Sequence, residues 1–481
     1  MRPWTLLLPV LGGLAAWAGE ATPLTLSATT DLLTWHDLLA TGPSRFTPTP
    51  RPGQYQYSLS LQGNLGPWTG GATLRDVNFY QPNPKITLDR ATTTLYKKYL
   101  KFDASHWNLQ AGDFNTMLGR GLVLSVIQNP AILKEDTIDG GDARYRSGRL
   151  EVHALGGTVT TEQQDQSWRV SGFEATVRFL PGNRLGVRAG TIQDGRAPSF
   201  GAPPLGLRQS RSVSLAGEDL LGSVNYYVEL GHIDFRDQRL PLWPTPVDPR
   251  KGDGGYGSLS WHRQGWFLMA EAKHYENFDN QLNNPPLADR DTEKNDLHDA
   301  SGRRLYAQYS FGSPDLTAFL SAGGYREETL EGRNVYGGFK LQDCFDRLDM
   351  TYTYGLRTVQ YLEKKTDATL TWRFTPVWSL DFTLRDKRNR PSGADPYEET
   401  DLTVQVARSP RFSAYLMQQR SSLAVFDATR LYYGGVRVNF RKGSYLDLSA
   451  GRLRGGEVCA SGQCITLPPF KGWKAAAHVR W

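Results

Sequence analysis

Strict period-two alternation of apolar and polar residues constrains the fold of this chain more than any other feature. In residues 55–61 every odd position is Tyr or Leu, and every even position is Ser or Gln. The same pattern recurs in residues 348–356 and 378–385 and continues almost to the last residue. Such alternation places apolar side chains on one face of a β-strand and polar side chains on the other. We therefore predict an all-β chain whose strands are nearly all amphipathic.

The amino-acid composition indicates whether these strands lie in a membrane or in a soluble protein. The chain is polar on average, with a mean hydropathy of −0.48, yet it contains 22 Tyr, 20 Phe and 13 Trp. A barrel with a wet interior and a lipid-facing band has this composition, because its apolar residues are spread over alternate positions. In lipid every backbone N–H and C=O must be paired internally, so strands cross a membrane only as a closed barrel. We predict a transmembrane antiparallel up-and-down β-barrel; a soluble sandwich with continuous inner faces is the alternative.

The N-terminus predicts export. Arg2 is followed by an apolar run over residues 6–17 and by Ala16-Trp17-Ala18, a small-x-small cleavage site. We therefore expect residues 1–18 to be a signal peptide and residues 19–481 to form the barrel, integral to the outer membrane of a Gram-negative cell. An uncleaved N-terminal anchor is the alternative.

The lengths of the links between strands predict the size of the barrel, because bacterial barrels have short periplasmic turns and longer extracellular loops. Eleven short turns, with both chain ends in the periplasm, imply about 24 strands, in a range of 22 to 26. This count requires a first strand near residues 24–31 and a short strand at residues 140–146. The short links lie at residues 64–67, 103–106, 147–149, 181–183, 219–222, 264–265, 312–314, 342–347, 373–377, 408–411 and 441–444.

The last strand carries a recognition pattern. Apolar residues alternate with Lys474, His478 and Arg480, and the chain ends on Trp481. This ending resembles the C-terminal strand that outer-membrane barrels present to the barrel-assembly machinery. We expect Trp481 to be the terminal aromatic of that signal, and other Tyr and Trp residues at strand ends to form interfacial girdles.

Charge and cysteine content limit the partners. The net charge is +6, and the basic residues are scattered rather than clustered, which argues against nucleic-acid binding. This balance is compatible with contact to lipid and to the phosphates of lipopolysaccharide. Cys459 and Cys464 lie in one loop and are candidates for a disulfide, with Cys344 left over; two unpaired thiols are the alternative. No C-x-x-C-H motif is present, and we expect neither a cofactor nor a metal.

Alternation fails in one place, between Gly112 and Gly140. The sequence there contains Gly112-Asp113-Phe114, followed by Leu118-Gly119-Arg120-Gly121-Leu122-Val123-Leu124. This stretch resembles the G-D-F…L-G-R-G-L-x-L signature of an uncharacterised family of porin-like outer-membrane proteins. The resemblance implies a porin-like barrel and supplies no substrate.

We expect residues 115–142 to fold into the lumen as a constriction, because a barrel wider than sixteen to eighteen strands must fill its interior. That placement would bring Arg120, Asp136 and Asp139 near the pore axis. Arg120 would then select anions or bridge to the wall carboxylates of Asp113 and Glu174. The polar strand faces add Arg178 and Arg188 to the lumen wall. A salt bridge that only pins the loop is the alternative, as is a solvated charge network that stiffens the barrel.

Linear motifs of enzymes are absent: there is no G-x-S-x-G, H-E-x-x-H or G-x-x-x-x-G-K-[ST] sequence. We therefore expect no catalysis, although a hydrolase assembled from neighbouring strands would leave no linear motif. The favoured function is a channel or export conduit for hydrophilic solutes or a secreted polymer. The alternative is a sheath around a lumen-filling or periplasmic protein partner, such as a secretion subunit or an electron-transfer cytochrome.

Overall fold

A computed structural model describes most of the chain. The described residues are 25–37, 53–78, 92–129, 134–161, 166–194, 207–236, 251–278, 282, 299–312, 315–327, 330–358, 361–391, 395–425, 428–460, 463–467 and 469–481. The predicted signal peptide, residues 1–18, lies outside them.

Twenty-four strands form one sheet in which every hydrogen-bonded pair of neighbours is antiparallel, and the first strand pairs with the last. The barrel is therefore closed, and the predicted fold class and strand number are confirmed. The barrel strands are β1 (Thr25–Asp37), β2 (Gly53–Leu65), β3 (Trp68–Asn78), β4 (Thr92–Asp103), β5 (Trp107–Phe114), β10 (Thr137–Ser147), β11 (Leu150–Thr161), β12 (Gln166–Leu180), β13 (Asn183–Asp194), β14 (Leu207–Leu220), β15 (Val224–Arg236), β16 (Lys251–Arg263), β17 (Trp266–Glu276), β18 (Asp299–Phe311), β19 (Asp315–Glu327), β20 (Leu330–Cys344), β21 (Leu348–Thr358), β22 (Tyr361–Arg373), β23 (Trp378–Pro391), β24 (Tyr397–Arg408), β25 (Phe412–Val425), β26 (Ala428–Arg441), β27 (Ser444–Leu453) and β30 (Phe470–Arg480).

Six short strands lie between barrel strands and pair only with one another. They are β6 (Thr116–Leu118) with β7 (Leu124–Val126), β8 (Gln128–Asn129) with β9 (Lys134–Glu135), and β28 (Gly456–Ala460) with β29 (Gln463–Leu467). In the part of the chain that the structure describes, no helix is long and apolar enough to cross a membrane.

The eleven predicted short links are the tight turns at one end of the barrel. The first strand extends to Asp37, beyond the predicted residues 24–31, and the predicted short strand is the full-length β10. At the opposite end, the links run from two positions, residues 328–329, to the long stretch at residues 277–298. That the short turns face the periplasm stays a prediction.

Side chains alternate between the lumen and the outer face, as β14 illustrates. Ser212 and Ser214 face the lumen, whereas Val213 and Leu215 face outward and are 44% and 40% exposed. Exposed apolar side chains on the outside of a closed barrel form a lipid-facing band, so this protein is integral to the outer membrane. Near the short turns, outward aromatic rings contact each other in pairs: Trp68–Phe102, Trp107–Tyr145 and Trp266–Tyr309, each with ring centroids 4.8 Å apart.

The C-terminal residue takes part in closing the barrel. The backbone N–H of Trp481 donates to the carbonyl of Ala28 at 2.9 Å, next to the β1–β30 pairing. Inside this seam, His478 Nδ1 lies 2.5 Å from Asp31 Oδ1. The role of Trp481 in assembly remains a prediction.

Candidate functional site

The candidate site is built on the chain between β5 and β10, residues 115–136, which we call the inward segment. Most of its apolar side chains are shielded from solvent: Leu118, Leu122, Val123 and Val126 are 0% exposed, whereas Met117 is 45% exposed. The buried side chains pack with lumen-facing apolar residues of β10 to β16, mainly Val159, Trp168, Val170, Ile192, Ile233 and Tyr256. The hydrophobic core of this protein therefore lies inside the barrel, between the wall and the inward segment.

Glycines in the wall make room for the segment. A Cβ atom added to Gly172 would lie 2.8 Å from Leu118 Cδ1, and one added to Gly190 would lie 2.8 Å from Val123 Cγ1. Atoms this close cannot coexist without a shift, so the wall is contoured to the segment. A glycine inside a strand often marks a close approach of another chain segment. Glycines within strands are therefore a signal of such contacts in the sequence, but the alternation of polar and apolar residues alone does not reveal it.

Two described residues after β17, Phe278 and Leu282, also pack with the segment. They are 2% and 7% exposed, and Phe278 contacts Tyr275 with ring centroids 5.6 Å apart. The backbone N–H of Ser125 donates to the carbonyl of Leu282 at 2.6 Å. The segment is thus held by these residues as well as by the wall.

Two glycines shape the bend that carries Arg120. Gly119 and Gly121 have φ angles of +58° and +87°, a region that favours glycine. The N–H of Gly121 donates to the carbonyl of Leu118 at 3.0 Å, which closes the turn. A Cβ atom on Gly119 would also lie 2.5 Å from Arg188 Nε. The bend therefore requires glycine both for its backbone conformation and for its close approach to the wall.

Beneath this bend lies a buried charge network. Arg188 Nε donates to Glu174 Oε1 at 2.7 Å, and Arg188 Nη1 donates to Ser214 Oγ at 2.8 Å. Arg188 Nη1 also lies 3.4 Å from Glu229 Oε1. The side chains of Arg188 and Glu229 are 6% and 0% exposed. One guanidinium on β13 thus neutralises two carboxylates, one from the adjacent β12 and one from β15, two strands away.

Glu229 connects this network to the inward segment. Its Oε1 accepts a hydrogen bond from Ser212 Oγ at 2.7 Å, and its Oε2 accepts one from Tyr227 Oη at 2.5 Å. The same Oε2 accepts the backbone N–H of Arg120 at 3.1 Å. Carboxylates that accept several hydrogen bonds are held firmly, so Glu229 anchors the bend to the wall.

The guanidinium of Arg120 lies on the lumenal side of this bend. It is exposed and sits over the ring of Tyr227, 4.7 Å from the centroid. Among the described residues, no carboxylate forms an ion pair with it, so the expected bridges to Asp113 and Glu174 are not formed. Arg120 lines a cavity of about 670 Å³ with Tyr256, Ser258 and Glu271 among the other lining residues.

Two predicted lumen residues lie on the other face of the wall. In β10, Ile138 and Asp142 face inward and are buried, whereas Asp139 alternates with them and is 53% exposed. Asp139 pairs in register with Asp113, and both carboxylates lie near Lys98 Nζ, at 2.7 and 3.8 Å. Asp113 and Asp139 therefore point outward and not toward the pore axis, because β10 begins at Thr137 and strand parity fixes its faces.

The remaining candidates face inward at different heights. Asp136 is 4% exposed, and its carbonyl accepts a hydrogen bond from Asn115 Nδ2. Arg178 lies near the turn between β12 and β13, away from the bend. Cys459 and Cys464 pair directly across β28 and β29, but their side chains lie outside those that the structure describes. Their disulfide stays a prediction.

A second buried polar cluster lies at the start of the inward segment, and sequence reasoning missed it. His153 Nε2 lies 2.5 Å from Asp142 Oδ2, and both side chains are at most 6% exposed. Arg144 Nε donates to Asp142 Oδ1 at 3.2 Å, and Arg144 Nη2 donates to Thr116 Oγ1 at 3.2 Å. These groups come from β10, β11 and the inward segment, so only the sheet register brings them together.

The opposite part of the lumen wall has a different surface. Lumen-facing charges there form pairs between strands: Lys387 Nζ lies 3.0 Å from Glu363 Oε2, and Arg437 Nε donates to Asp447 Oδ2 at 3.0 Å. The side chain of Arg385 is 71% exposed at mid-height of β23. Water therefore reaches the middle of this wall, in contrast to the wall beneath the inward segment, although Glu363, near the end away from the short turns, is buried.

Comparisons with known proteins bear on the fold. No protein-family model and no curated protein sequence matches the chain. The siderophore receptor PirA from Pseudomonas aeruginosa superposes with a TM-score of 0.50 at 10% identity, over 96% of this chain and 81% of that one. OccD3 (OpdP) from Pseudomonas aeruginosa gives 0.42 at 10% identity, over 71% and 88%. A BenF-like porin from Pseudomonas fluorescens Pf-5 gives 0.41 at 10% identity, over 84% and 100%. The chain thus has the fold of an outer-membrane β-barrel.

Proposed function

We propose that this protein is a passive outer-membrane channel for small hydrophilic solutes, narrowed on one side by the inward segment. One observation carries the proposal: the segment is packed against β10 to β18, while lumen-facing charges at mid-height of the opposite wall, such as Arg385, remain exposed to water. A lumen that is filled on one side and wet on the other is a constricted passage.

The size of the barrel supports a role for the segment as the constriction. Barrels of sixteen to eighteen strands already leave an aqueous channel, and a 24-stranded barrel is wider. An unfilled lumen of this width would discriminate poorly between solutes. Charged and polar groups at a constriction provide the discrimination, and Arg120 is the exposed cation at this one.

The test is single-channel conductance in planar lipid bilayers. Phe114 pairs directly with Ile138, so residues 115–137 can be replaced by an Asn-Gly turn that joins β5 to β10. We expect the conductance of this variant to rise at least about twofold, because the wet cross-section of the lumen increases. Absence of conductance in both forms would overturn the proposal.

The matched control replaces a link elsewhere on the barrel. Leu453 pairs with Phe470, so residues 454–469 can be exchanged for the same Asn-Gly turn. A smaller change in conductance is expected there than at the inward segment. A protein that co-purifies from native membranes and blocks conductance would instead favour the sheath around a partner.

A further inference from the structure

The outer face of β25, β26, β27 and β30 changes abruptly from apolar to basic. On β27 the outward residues run Leu446, Leu448, Ala450 and then Arg452, counted from the short turn. On β26 they run from Phe440 through Val438, Val436, Gly434 and Tyr432 to Arg430. Arg420 of β25 and Lys471 of β30 occupy the equivalent outward positions. A basic patch therefore lies just above the apolar band, on the side away from the short turns.

The strand register brings these cations together. Arg420 pairs directly with Arg430, and Arg452 pairs directly with Lys471. Arg452 follows the Tyr433–Gly451 pair by one residue, which places it diagonally from Arg430. Directly opposed side chains have Cβ atoms about 5 Å apart, and diagonal ones about 7 Å. The patch thus spreads its positive charge over four adjacent strands, a width of about 14 Å at the usual strand spacing.

Like charges directly opposite each other destabilise a sheet, so the Arg420–Arg430 pair calls for a compensating anion. Arg420, Arg430 and Arg452 are all exposed. Within the described ranges, no carboxylate forms an ion pair with any of these three arginines.

Some outward cations of the barrel have acidic partners, whereas others, such as Arg169 and Arg326, have none among the described residues. Arg211 Nη2 donates to Asp234 Oδ2 at 2.8 Å, and Arg388 Nε donates to Asp386 Oδ2 at 3.0 Å. Lys98 lies 2.7 Å from Asp139, as described above. Arg420 and Arg430 differ from these cations because they face each other directly and neither forms an ion pair with a described carboxylate.

We propose that Arg420, Arg430, Arg452 and Lys471 form a binding site for the phosphate groups of the diphosphorylated glycolipid of the outer leaflet, the lipid A part of lipopolysaccharide. Guanidinium groups bind phosphate oxygens in pairs of charge-assisted hydrogen bonds. The site faces lipid and not the lumen, so its anion is carried by a membrane lipid. Tyr432 and Trp473, 51% and 46% exposed, lie directly below the cations and provide apolar contact for sugar and acyl groups.

The test titrates the purified full chain in detergent micelles with diphosphoryl lipid A and follows binding by native mass spectrometry. The triple variant Arg420→Gln, Arg430→Gln, Arg452→Gln is expected to bind about a hundredfold more weakly, since each cation at an anionic membrane surface contributes about fivefold. The triple Arg→Lys variant keeps the charge and should retain binding within about tenfold. Heat-modifiable electrophoretic mobility verifies that each variant is folded.

The control variant Lys98→Gln, Arg211→Gln, Arg388→Gln removes the same number of outward charges from compensated positions and should leave binding nearly unchanged. Equal weakening by this control would overturn the site. Equal affinity for monophosphoryl lipid A or for phosphatidylglycerol would also overturn it, because one phosphate would then suffice. Displacement of lipid A by millimolar inorganic phosphate would show a site for free anions and would likewise overturn it.

Discussion

Two parts of the lumen wall can be compared directly, because they belong to one sheet and share the same alternation. The covered arc, β10 to β18, presents apolar side chains such as Val170 and Ile192 to the inward segment. The open arc, β21 to β27, presents charged side chains such as Asp367 and Arg385 to water. Within the lipid-facing band their outer faces are both apolar, since lipid imposes one requirement on every strand. The lumen face is therefore where this barrel varies its chemistry.

The two arcs also differ in the interactions that stabilise them. Burying a Val or Leu side chain stabilises a structure by about 1.5–3 kcal/mol, and the inward segment buries several against the covered arc. Exposed ion pairs contribute about 0–1 kcal/mol each, so those of the open arc add little to stability. The covered arc is organised around packing, and the open arc around its charged surface.

The largest expected effect comes from removing the cation of the buried network. Arg188→Met leaves Glu174 and Glu229 without their shared partner, and breaking a buried pair in this way costs about 3–5 kcal/mol. Arg437→Met on the open arc removes an exposed pair with Asp447 and should cost at most about 1 kcal/mol. Urea unfolding followed by tryptophan fluorescence measures both. Equal losses would remove the energetic distinction between the arcs.

A second variant tests the fit between wall and segment. Gly190→Leu places a side chain where Val123 Cγ1 already lies, and such overpacking costs about 1–3 kcal/mol. We expect the segment to be displaced and the conductance to move toward that of the variant lacking residues 115–137. The control is Gly355→Leu, a lumen-facing position of the open arc whose nearest neighbour, Tyr336 Cβ, would be 3.2 Å away. Unchanged conductance in Gly190→Leu would show that the position of the segment does not depend on the space that Gly190 leaves in the wall.

The sequence predicts the barrel well because the lipid environment requires alternating apolar and polar residues in every strand. Strand faces follow from alternation, and turns such as Pro181–Asn183 follow from residues that favour tight bends. The inward segment was also predictable, since Gly119 and Gly121 interrupt the pattern. Its contacts were not, because Glu229 lies 109 positions from Arg120 and is joined to it only by the register of β15.

The misplacement of Asp113 and Asp139 has a specific physical cause. A strand alternates with a period of two, so the assignment of every side chain to a face depends on where the strand begins. When residues 137–142 are assigned to a loop, the prediction misses the inward-facing Asp142, which pairs with His153. The same assignment wrongly places Asp139 on the lumen side. Acidic residues are common in loops, so the acidic composition of this stretch does not reveal that β10 begins before residue 140.

A third variant compares the arcs by selectivity. Arg120→Glu reverses the charge of the exposed cation beside the constriction, and we expect the anion-to-cation permeability ratio to fall about threefold to fivefold. Arg385→Glu makes the same change on the open arc, where water screens it, and should shift the ratio less. Reversal potentials in a salt gradient measure both. A larger shift at Arg385 would mean that solutes pass along the open arc without sensing the segment.

The smallest effect on conductance is expected from removing the predicted disulfide between Cys459 and Cys464. The register pairs Cys459 with Cys464 across β28 and β29, in the link between the last two strands. If the two sulfurs are bonded, alkylation of the denatured, unreduced chain labels one thiol, Cys344, and reduction releases two more. Three labelled thiols without reduction would contradict the bond. The double variant Cys459→Ser, Cys464→Ser should leave conductance unchanged, because this hairpin pairs with no barrel strand, whereas the inward segment is part of the packed lumen.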